Sequence, residues 1–445
     1  MCSETSRPPA LQLNTMKPIN VGLLGIGTVG GGTATVLKRN AEEISRRAGR
    51  AIQLKMVADL NTERAREIAG DGVEVTNDAF NVVNNPDIDI VVELIGGTGI
   101  AKELVLKAIE SGKHVVTANK KLLAEYGNEI FAAAHKKGVM VAFEAAVAGG
   151  IPIIKSLREG LTANRIEWIA GIINGTSNFI LTEMREKGAA FADVLAEAQR
   201  LGYAEADPTF DIEGHDAAHK LTIMSAIAFG IPVQFPKAYL EGISKLTAED
   251  ISYAEELGYR IKLLGITKRK PGGIELRVHP TLIPEQRLIA NVNGVMNAVL
   301  VKGDAVGQTM YYGAGAGAEP TASAVVADLV DVTRLLTADP HHRVPHLAFQ
   351  PNQMSDLQIL PIDEIETCYY LRLKAQDKKG VLADVTRILA DADISIDAMM
   401  QKEPQAGEEL VDVIILTHLA VEKNVNAAIA KIEALSTING SVTRI

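Results

Sequence analysis

Ile19 to Leu24 form a short apolar run that ends in Gly25-Ile26-Gly27-Thr28-Val29-Gly30, and a helical pattern follows through about Ala48. Strand, glycine-rich turn and helix, in that order, constrain the fold more than any other stretch of the chain. Gly25 allows the tight turn, Gly27 lets a pyrophosphate approach the backbone, and Gly30 lets helix and strand pack closely. Phosphates would sit at the helix N-terminus, where unpaired N–H groups and the helix dipole favour negative charge. Alone, such a motif is a turn; here the unit recurs. Ile52 to Ala58 reads as a second strand ending in Asp59, and Ile88 to Ile95 as a third ending in Gly96-Gly97. His114 to Thr117 and Val139 to Phe143 continue the series, with helical segments between them. The alternation implies an α/β, Rossmann-type doubly wound parallel sheet over residues 18–143.

Ligands of such sheets bind at the carboxyl ends of the strands. Asp59 stands there to accept hydrogen bonds from ribose hydroxyls, which favours NAD. A 2′-phosphate would meet like charge unless Arg64 or Arg66 turned in. The alternative is a surface Asp ahead of a helix starting near Asn61, so the choice between NAD and NADP stays open. Thr98 follows Gly96-Gly97 at one strand end, and Thr117-Ala118-Asn119-Lys120-Lys121 lies at another. Either one of those lysines points into the crevice, or both are solvated at a helix start.

The chain has 445 residues, room for about three domains. Its 47% hydrophobic and 22% charged residues suit a well-cored soluble protein, and no apolar run approaches the roughly 20 residues that span a bilayer. A net charge of −10 argues against a nucleic-acid or anionic-membrane partner. Residues 1–17, polar and carrying Pro8-Pro9, read as a loose tail. Two cysteines, Cys2 and Cys368, allow neither a disulfide framework nor an all-cysteine metal site. The expectation is a cytoplasmic, multidomain protein.

Residues 144–312 read as an α+β domain; substrate binding and dimerisation fall to it only through the family resemblance carried by residues 202–220. A Gly/Ala-rich loop, Glu144 to Pro152, leads into a helix over Ile153 to Leu161 and a strand near Arg165 to Ile173. Asn174-Gly175-Thr176-Ser177-Asn178 is a turn with an N-cap, opening a helix from about Phe179 to Lys187. It either presents hydroxyls and N–H groups to a small polar ligand or merely caps. Tyr259 to Lys268 and Ile274 to Pro280 pair as a hairpin. Gly313 to Gly317 alternates glycine and alanine ahead of a helix over Thr321 to Leu336, with Pro320 at its first position. That segment, 313–340, is expected to return to the nucleotide domain. A proline-punctuated linker covers 341–365. Residues 366–445 then follow a βαββαβ order, which is ferredoxin-like. The loop Asp377-Lys378-Lys379-Gly380-Val381-Leu382 resembles the ligand loop of the ACT family of amino-acid-sensing modules; the plain alternative is a tight loop in a structural dimerisation domain.

Residues 202–220 carry the densest charge: Glu205, Asp207, Asp211, Glu213 and Asp216, then Lys220. His215 to Phe229 contains no Pro or Gly and reads as a helix, which makes Asp216 and Lys220 i, i+4 neighbours on one face. The spacing Ala198-x3-Gly202-Tyr203-Ala204-x2-Asp207-Pro208-x2-Asp211-Ile212-x-Gly214-x-Asp216-x3-Lys220 closely resembles the homoserine dehydrogenase signature. The resemblance runs from about residue 18 to the end and includes Asn119-Lys120, Asn174-Gly175-Thr176 and the glycine run before Glu319. With no aspartate-kinase segment ahead of the nucleotide domain, it is similar to the monofunctional bacterial type with an ACT tail. It implies interconversion of L-homoserine and L-aspartate 4-semialdehyde with NAD or NADP. Lys220 becomes the acid/base and Lys120 a second active-site lysine. Glu205, Asp207, Asp211, Asp216, Gly175 and Thr176 would surround the substrate. Gly25, Ile26, Gly27, Thr28, Val29, Gly30, Asp59, Thr98, Lys120, Gly315 and Glu319 would contact the cofactor. Glu144 and the backbone near Val147, Gly149 and Ile151 would hold a monovalent cation such as Na+. Asp377, Gly380, Val381 and Leu382 would take an amino-acid effector, threonine first among them, in a homodimer or homotetramer.

The chemistry agrees with these roles: carboxylates suit the substrate ammonium, and a lysine suits its alcohol or aldehyde oxygen. Two other classes remain. His215 and His219 at i, i+4 resemble the helical zinc pair of metallohydrolases, which needs a third ligand. The other is a cofactor-binding, amino-acid-sensing regulator without catalysis.

Overall fold

The computed structural model describes residues 17–340, 343–402 and 409–445. The expected tail, apart from Lys17, lies outside the described residues, as does Cys2. Two compact units form: Met1–Thr162 with Ala314–Met354, and Ala163–Gly313 with Ser355–Ile445. Residues 144–162, expected with the second domain, therefore belong to the first unit.

Six strands build the first unit: β1 (Ile19–Leu24), β2 (Ile52–Ala58), β3 (Glu74–Thr76), β4 (Ile90–Glu93), β5 (His114–Thr117) and β6 (Val141–Ala142). All pairs are parallel, in the order β3-β2-β1-β4-β5-β6. Central strands of such a sheet are covered on both faces, which is why β4 and β5 read as continuous apolar runs; Ile90, Val91, Val92, Val115 and Val116 are fully buried. β3 is short and half exposed, and its sequence gave no apolar signal. The long first helix is two helices, Thr28–Arg39 and Ala41–Ala48, broken at Asn40.

The returning helix runs Ala318–Leu335 with Gly317 as N-cap, so Pro320 is its third residue rather than its first. It lies so close to the Thr28–Arg39 helix that a Cβ on Gly32 would stand 2.5 Å from the Ala318 carbonyl oxygen. Val325, Leu329 and Val332 join Val21, Leu23, Val36 and Val92 in one core. The helix expected over Ile153 to Leu161 is a single α-turn, Ile153–Lys155, running into a π-helical turn, Ser156–Gly160.

The second unit contains β7 (Ile166–Ile172), β8 (Tyr239–Leu240), β9 (Tyr259–Lys270), β10 (Gly273–Pro284), β11 (Met296–Gly303) and β12 (Gly307–Ala314). Their order is β12-β11-β7-β9-β10-β8, with β9 and β10 forming the expected hairpin; β11 and β12 were not foreseen. Helices Gly175–Lys187, His215–Phe229 and Ala248–Glu256 pack against β9.

Its C-terminal module comprises β13 (Glu366–Thr367), β14 (Tyr370–Gln376), β15 (Ile396–Gln401), β16 (Leu410–Thr417), β17 (Ala420–Val421) and β18 (Ile438–Arg444), with helices Val381–Asp391 and Glu422–Glu433. The antiparallel order β15-β16-β14-β18 is the ferredoxin-like arrangement. One set of alternating side chains makes the module's own core with the two helices. The opposite set, Tyr370, Ile414 and Leu416, packs on Tyr253, Leu257, Tyr259 and Leu282 of the same unit. Polar contacts reinforce that face. Asp250, fully buried, accepts from Arg372 Nε (2.5 Å), Arg372 Nη2 (3.0 Å) and the Tyr370 hydroxyl (3.2 Å).

Candidate functional site

The His215–Phe229 helix starts after Gly214, which is left-handed at φ 84° and lies against Val278. Every residue of the helix from Asp216 to Phe229 is buried, so its charged pair is held inside protein. Lys220 Nζ donates to Asp216 Oδ2 at 2.6 Å and to the Ile173 carbonyl at 2.7 Å; the two residues are 8% and 4% exposed. Asn174 ties this pair to the loop before the helix. Its Nδ2 donates to Asp216 Oδ2 (2.9 Å) and Asp211 Oδ1 (2.7 Å), while its Oδ1 accepts from Ser177 N (2.8 Å) as an N-cap. Ser177 Oγ also donates to the Asp211 carbonyl at 3.0 Å. Two carboxylates thus converge on one amide, and the ammonium shares Asp216 Oδ2 with it.

Sequence reasoning treated Asn174 as a cap and missed it as the hub. A capping Asn spends its oxygen on the helix and still has two N–H donors to spend elsewhere, and that was the available signal. Of the other expected substrate residues, Glu205 and Asp207 are exposed on the loop ahead of Pro208, and Asp207 Oδ1 accepts from Thr209 N. The structure does not bring them into the buried cluster. Thr176 Oγ1 donates to the Tyr203 carbonyl at 2.6 Å, holding that loop down. Gly175 is required by packing, since a Cβ would meet the Val295 carbonyl oxygen at 2.7 Å. His215 stacks on Phe210, and His219 sits between Phe210 and Phe235. Among the described residues no group of three or more His, Cys, Asp and Glu is placed to hold a metal ion.

Behind the Gly175–Lys187 helix lies Lys262, 1% exposed, donating to Asn178 Oδ1 (3.1 Å), the Val292 carbonyl (2.6 Å) and Asn293 Oδ1 (3.2 Å). Burial, then the charges of Arg185 and Arg260, push its ammonium down to about 7 against the opposing pull of Glu186. Between that value and the ordinary 10.5 the unfolded chain binds the extra proton, so this group makes stability rise with pH across that window. Thermal unfolding of wild type and Lys262→Met checks it. The difference should move in the wild type's favour from pH 7 to 9.5 and stay level below pH 6.5; parallel curves would refute it.

In the first unit the glycine turn has the geometry its sequence called for. Gly25 is left-handed at φ 89°, and a Cβ on Gly30 would stand 2.1 Å from the Gly25 carbonyl oxygen. At Gly27 a Cβ would meet nothing within 4 Å, which leaves the backbone open to a ligand. Gly27 caps the helix without a side-chain bond, and no acid stands in the first turn around Thr28 and Val29. Asp59 is tied to this turn: Oδ2 accepts from Ile26 N and Oδ1 from Asn61 N, both at 2.8 Å. Asn61, not Asp59, caps the following helix. Half-buried Thr98 lies in the loop after β4, and half-buried Lys120 opens the Lys120–Lys137 helix at the end of β5.

Two further expected cofactor contacts each have a partner within the first unit. Glu319 forms a bidentate ion pair with Arg39 at 2.8 Å, both side chains about half exposed. Gly315 packs on the Glu144–Ile151 turn, where a Cβ on Gly149 would meet its carbonyl oxygen at 2.5 Å. In that turn Ala148 and Gly149 are left-handed, at φ 56° and 51°. The Glu144 carboxylate accepts from Ile154 N (2.9 Å) and Lys155 N (2.7 Å), and burial pushes it up to about 7. In the C-terminal module, Asp377, Gly380, Val381 and Leu382 line one cavity together with Gln401, Val411 and Val413.

Residues 152–330 match the sequence profile of homoserine dehydrogenase, residues 25–144 that of the homoserine dehydrogenase NAD-binding domain, and residues 369–436 that of the ACT domain. The chain is 65% identical over 431 residues to the homoserine dehydrogenase of Pseudomonas aeruginosa, covering 97% of this chain and 99% of that protein. Identity to the enzyme of Neisseria gonorrhoeae is 66% over 430 residues, covering 97% and 98%. The crystal structure of a homoserine dehydrogenase from Thiobacillus denitrificans superposes with a TM-score of 0.93 at 74% identity, over 96% of this chain and 98% of that one. A hyperthermophilic archaeal homoserine dehydrogenase in complex with NADPH matches at TM-score 0.61 and 27% identity, over 71% and 98%. The chain belongs to the homoserine dehydrogenase family.

Proposed function

We propose that the protein interconverts L-homoserine and L-aspartate 4-semialdehyde, a step toward threonine, methionine and isoleucine, in the cytoplasm. The cluster of buried Asn174, Asp216 and Lys220 with half-buried Asp211 carries this reading. A nicotinamide dinucleotide, when bound at the open Gly27 turn, supplies the hydride chemistry. In aldehyde reduction Lys220 Nζ gives its proton to the carbonyl oxygen as that oxygen gains charge; in alcohol oxidation it takes the proton back. Asp216, itself held by Asn174, keeps that amine in place; Asp211 and, from the exposed loop, Glu205 serve the substrate ammonium, and Lys120 is a second cation for the reacting site. Turnover of L-homoserine with NAD and with NADP, each with and without threonine, tests the reading. No dehydrogenase activity with either cofactor would refute it.

The glycines separate cofactor binding from packing. Gly27→Ala should leave the melting temperature unchanged and weaken cofactor binding by about tenfold or more, because only the ligand approaches that atom. Gly30→Ala forces a Cβ into the Gly25 carbonyl and should destabilise the nucleotide unit by about 1–3 kcal/mol. Fluorescence titration with calorimetry reads both; equal behaviour of the two variants would remove Gly27 from the phosphate site.

A monovalent cation would fit the Glu144–Ile151 turn through main-chain carbonyls, with the Glu144 carboxylate, which accepts from two backbone N–H groups, bracing the turn. The ion would add to that bracing and leave the chemistry untouched. For regulation, threonine at the Asp377–Leu382 loop accounts for the cavity there. Asp377→Ala should raise the threonine concentration for half inhibition by about tenfold and leave uninhibited turnover alone, as loss of one charged contact implies. Unchanged inhibition would move the effector elsewhere. β12 is an edge strand with Tyr312 59% exposed, which suits pairing of two chains into a homodimer.

A further inference from the structure

Glu93 ends β4 at the carboxyl edge of the nucleotide sheet and is fully buried. Its Oε1 accepts from Ile95 N and Gly96 N, both at 3.0 Å, and its Oε2 accepts from the Thr117 hydroxyl at 2.7 Å. Thr117 Oγ1 in turn accepts from Asn119 N at 3.0 Å. Asn119 Oδ1 caps Leu122 N at 3.0 Å, and Asn119 Nδ2 donates to the Gly97 carbonyl at 2.7 Å. These bonds close a ring that ties the loop after β4 to the start of the helix after β5. Thr98 stands on one side of the ring and Lys120 is the next residue on the other.

Among the described residues the partners of this carboxylate are two backbone N–H groups and one hydroxyl; none is a cation. A buried charge held only by neutral donors is a costly way to tie two loops, since a neutral Gln has the same shape. What the carboxylate adds is direction. As a pure acceptor it makes Thr117 donate toward it, which leaves the Thr117 lone pairs for Asn119 N. We propose that Glu93 is a positioning residue that fixes Lys120 and the Ile95–Thr98 loop in one register through Thr117 and Asn119. This rests on reading Lys120 as an active-site lysine.

In Glu93→Gln the side-chain amide donates toward Thr117 Oγ1, the hydroxyl loses its acceptor, and the Asn119 bond is contested. Glu93→Gln and Thr117→Val should each lower kcat/KM for L-homoserine by about 10- to 100-fold, the scale of a small displacement of a reacting group. Thr117→Ser keeps the hydroxyl and should restore activity to within about threefold of wild type. In a Lys120→Ala background, Glu93→Gln should cost less than about threefold, because the group it positions is gone. Equal losses in both backgrounds would make Glu93 merely structural and overturn the proposal. An active Glu93→Gln beside an inactive Lys120→Ala would overturn it while leaving the role of Lys120 intact. An active Lys120→Ala would instead overturn the reading of Lys120 and the proposal with it. Should Glu93→Gln fail to fold, the contrast between Thr117→Val and Thr117→Ser carries the same test.

Discussion

Lys220→Met should lower kcat in both directions by about 10²- to 10⁴-fold, the range expected when a positioned proton donor and acceptor is lost. The amine is aimed by Asp216 and the Ile173 carbonyl, and its helix is buried from Asp216 to Phe229, so no neighbouring side chain can swing into its place. Lys220→Arg should not rescue, because a planar guanidinium cannot present a single compact donor at the same point. Cofactor affinity should hold, since the glycine turn lies in the other unit. The melting temperature should also fall, because buried Asp216 loses its cation while the Asn174 amide still donates to it. Steady-state rates at saturating substrate and a cofactor titration decide the matter. Wild-type kcat in Lys220→Met would remove this residue from the chemistry.

The largest loss of stability is expected at Asp250. Its carboxylate is fully buried and receives Arg372, Tyr370, and both the N–H and the hydroxyl of Thr247. Asp250→Ala strands the Arg372 guanidinium, 9% exposed, with Asp412 at 3.9 Å as its remaining carboxylate. Removing one member of such a pair costs about 3–5 kcal/mol. Arg372→Met should cost a similar amount, and the double variant less than the sum, because the second substitution removes the stranded charge. Thermal unfolding of the four proteins measures this; additive losses would show that the pair is not coupled. Truncation at residue 366 would uncover Asp250 and the apolar patch around Tyr253 at once. Point substitutions in the Asp377 loop are therefore the cleaner probe of regulation.

Much of this molecule was legible in its residues where the signal is local. β1 and β5 are short, almost wholly buried runs and β2 ends in one, so all three could be placed to the residue. The βαββαβ order and the His215–Phe229 helix follow from periodicity, and i, i+4 spacing alone put Asp216 beside Lys220. What escaped was set by tertiary partners. Asn174 serves two carboxylates 37 and 42 residues away, and Asp250 meets Arg372 at a separation of 122. Nothing near Glu319 in the sequence announces its partner, Arg39 of the first helix, 280 residues earlier. Glu205 and Asp207 belong to a charge-rich signature, yet the side chains that the fold buries are Asp216 and Lys220. A sequence pattern marks which residues matter and is silent on whether chemistry or packing requires them; Gly175, held by Val295, is a case of the second.

The close approach of Gly32 to Ala318 has a consequence for biosynthesis. The first unit leaves off at Thr162 and resumes at Ala314, so its core waits for about 150 further residues. At about 5–20 residues per second, a nascent chain spends on the order of ten to thirty seconds with the apolar flank of its first helix uncovered. Val36 and Leu37 belong to that core, and Val325 and Leu329 join it only after the second-unit insertion has been made. The ribosome must therefore deliver the whole second-unit insertion before the nucleotide unit can close.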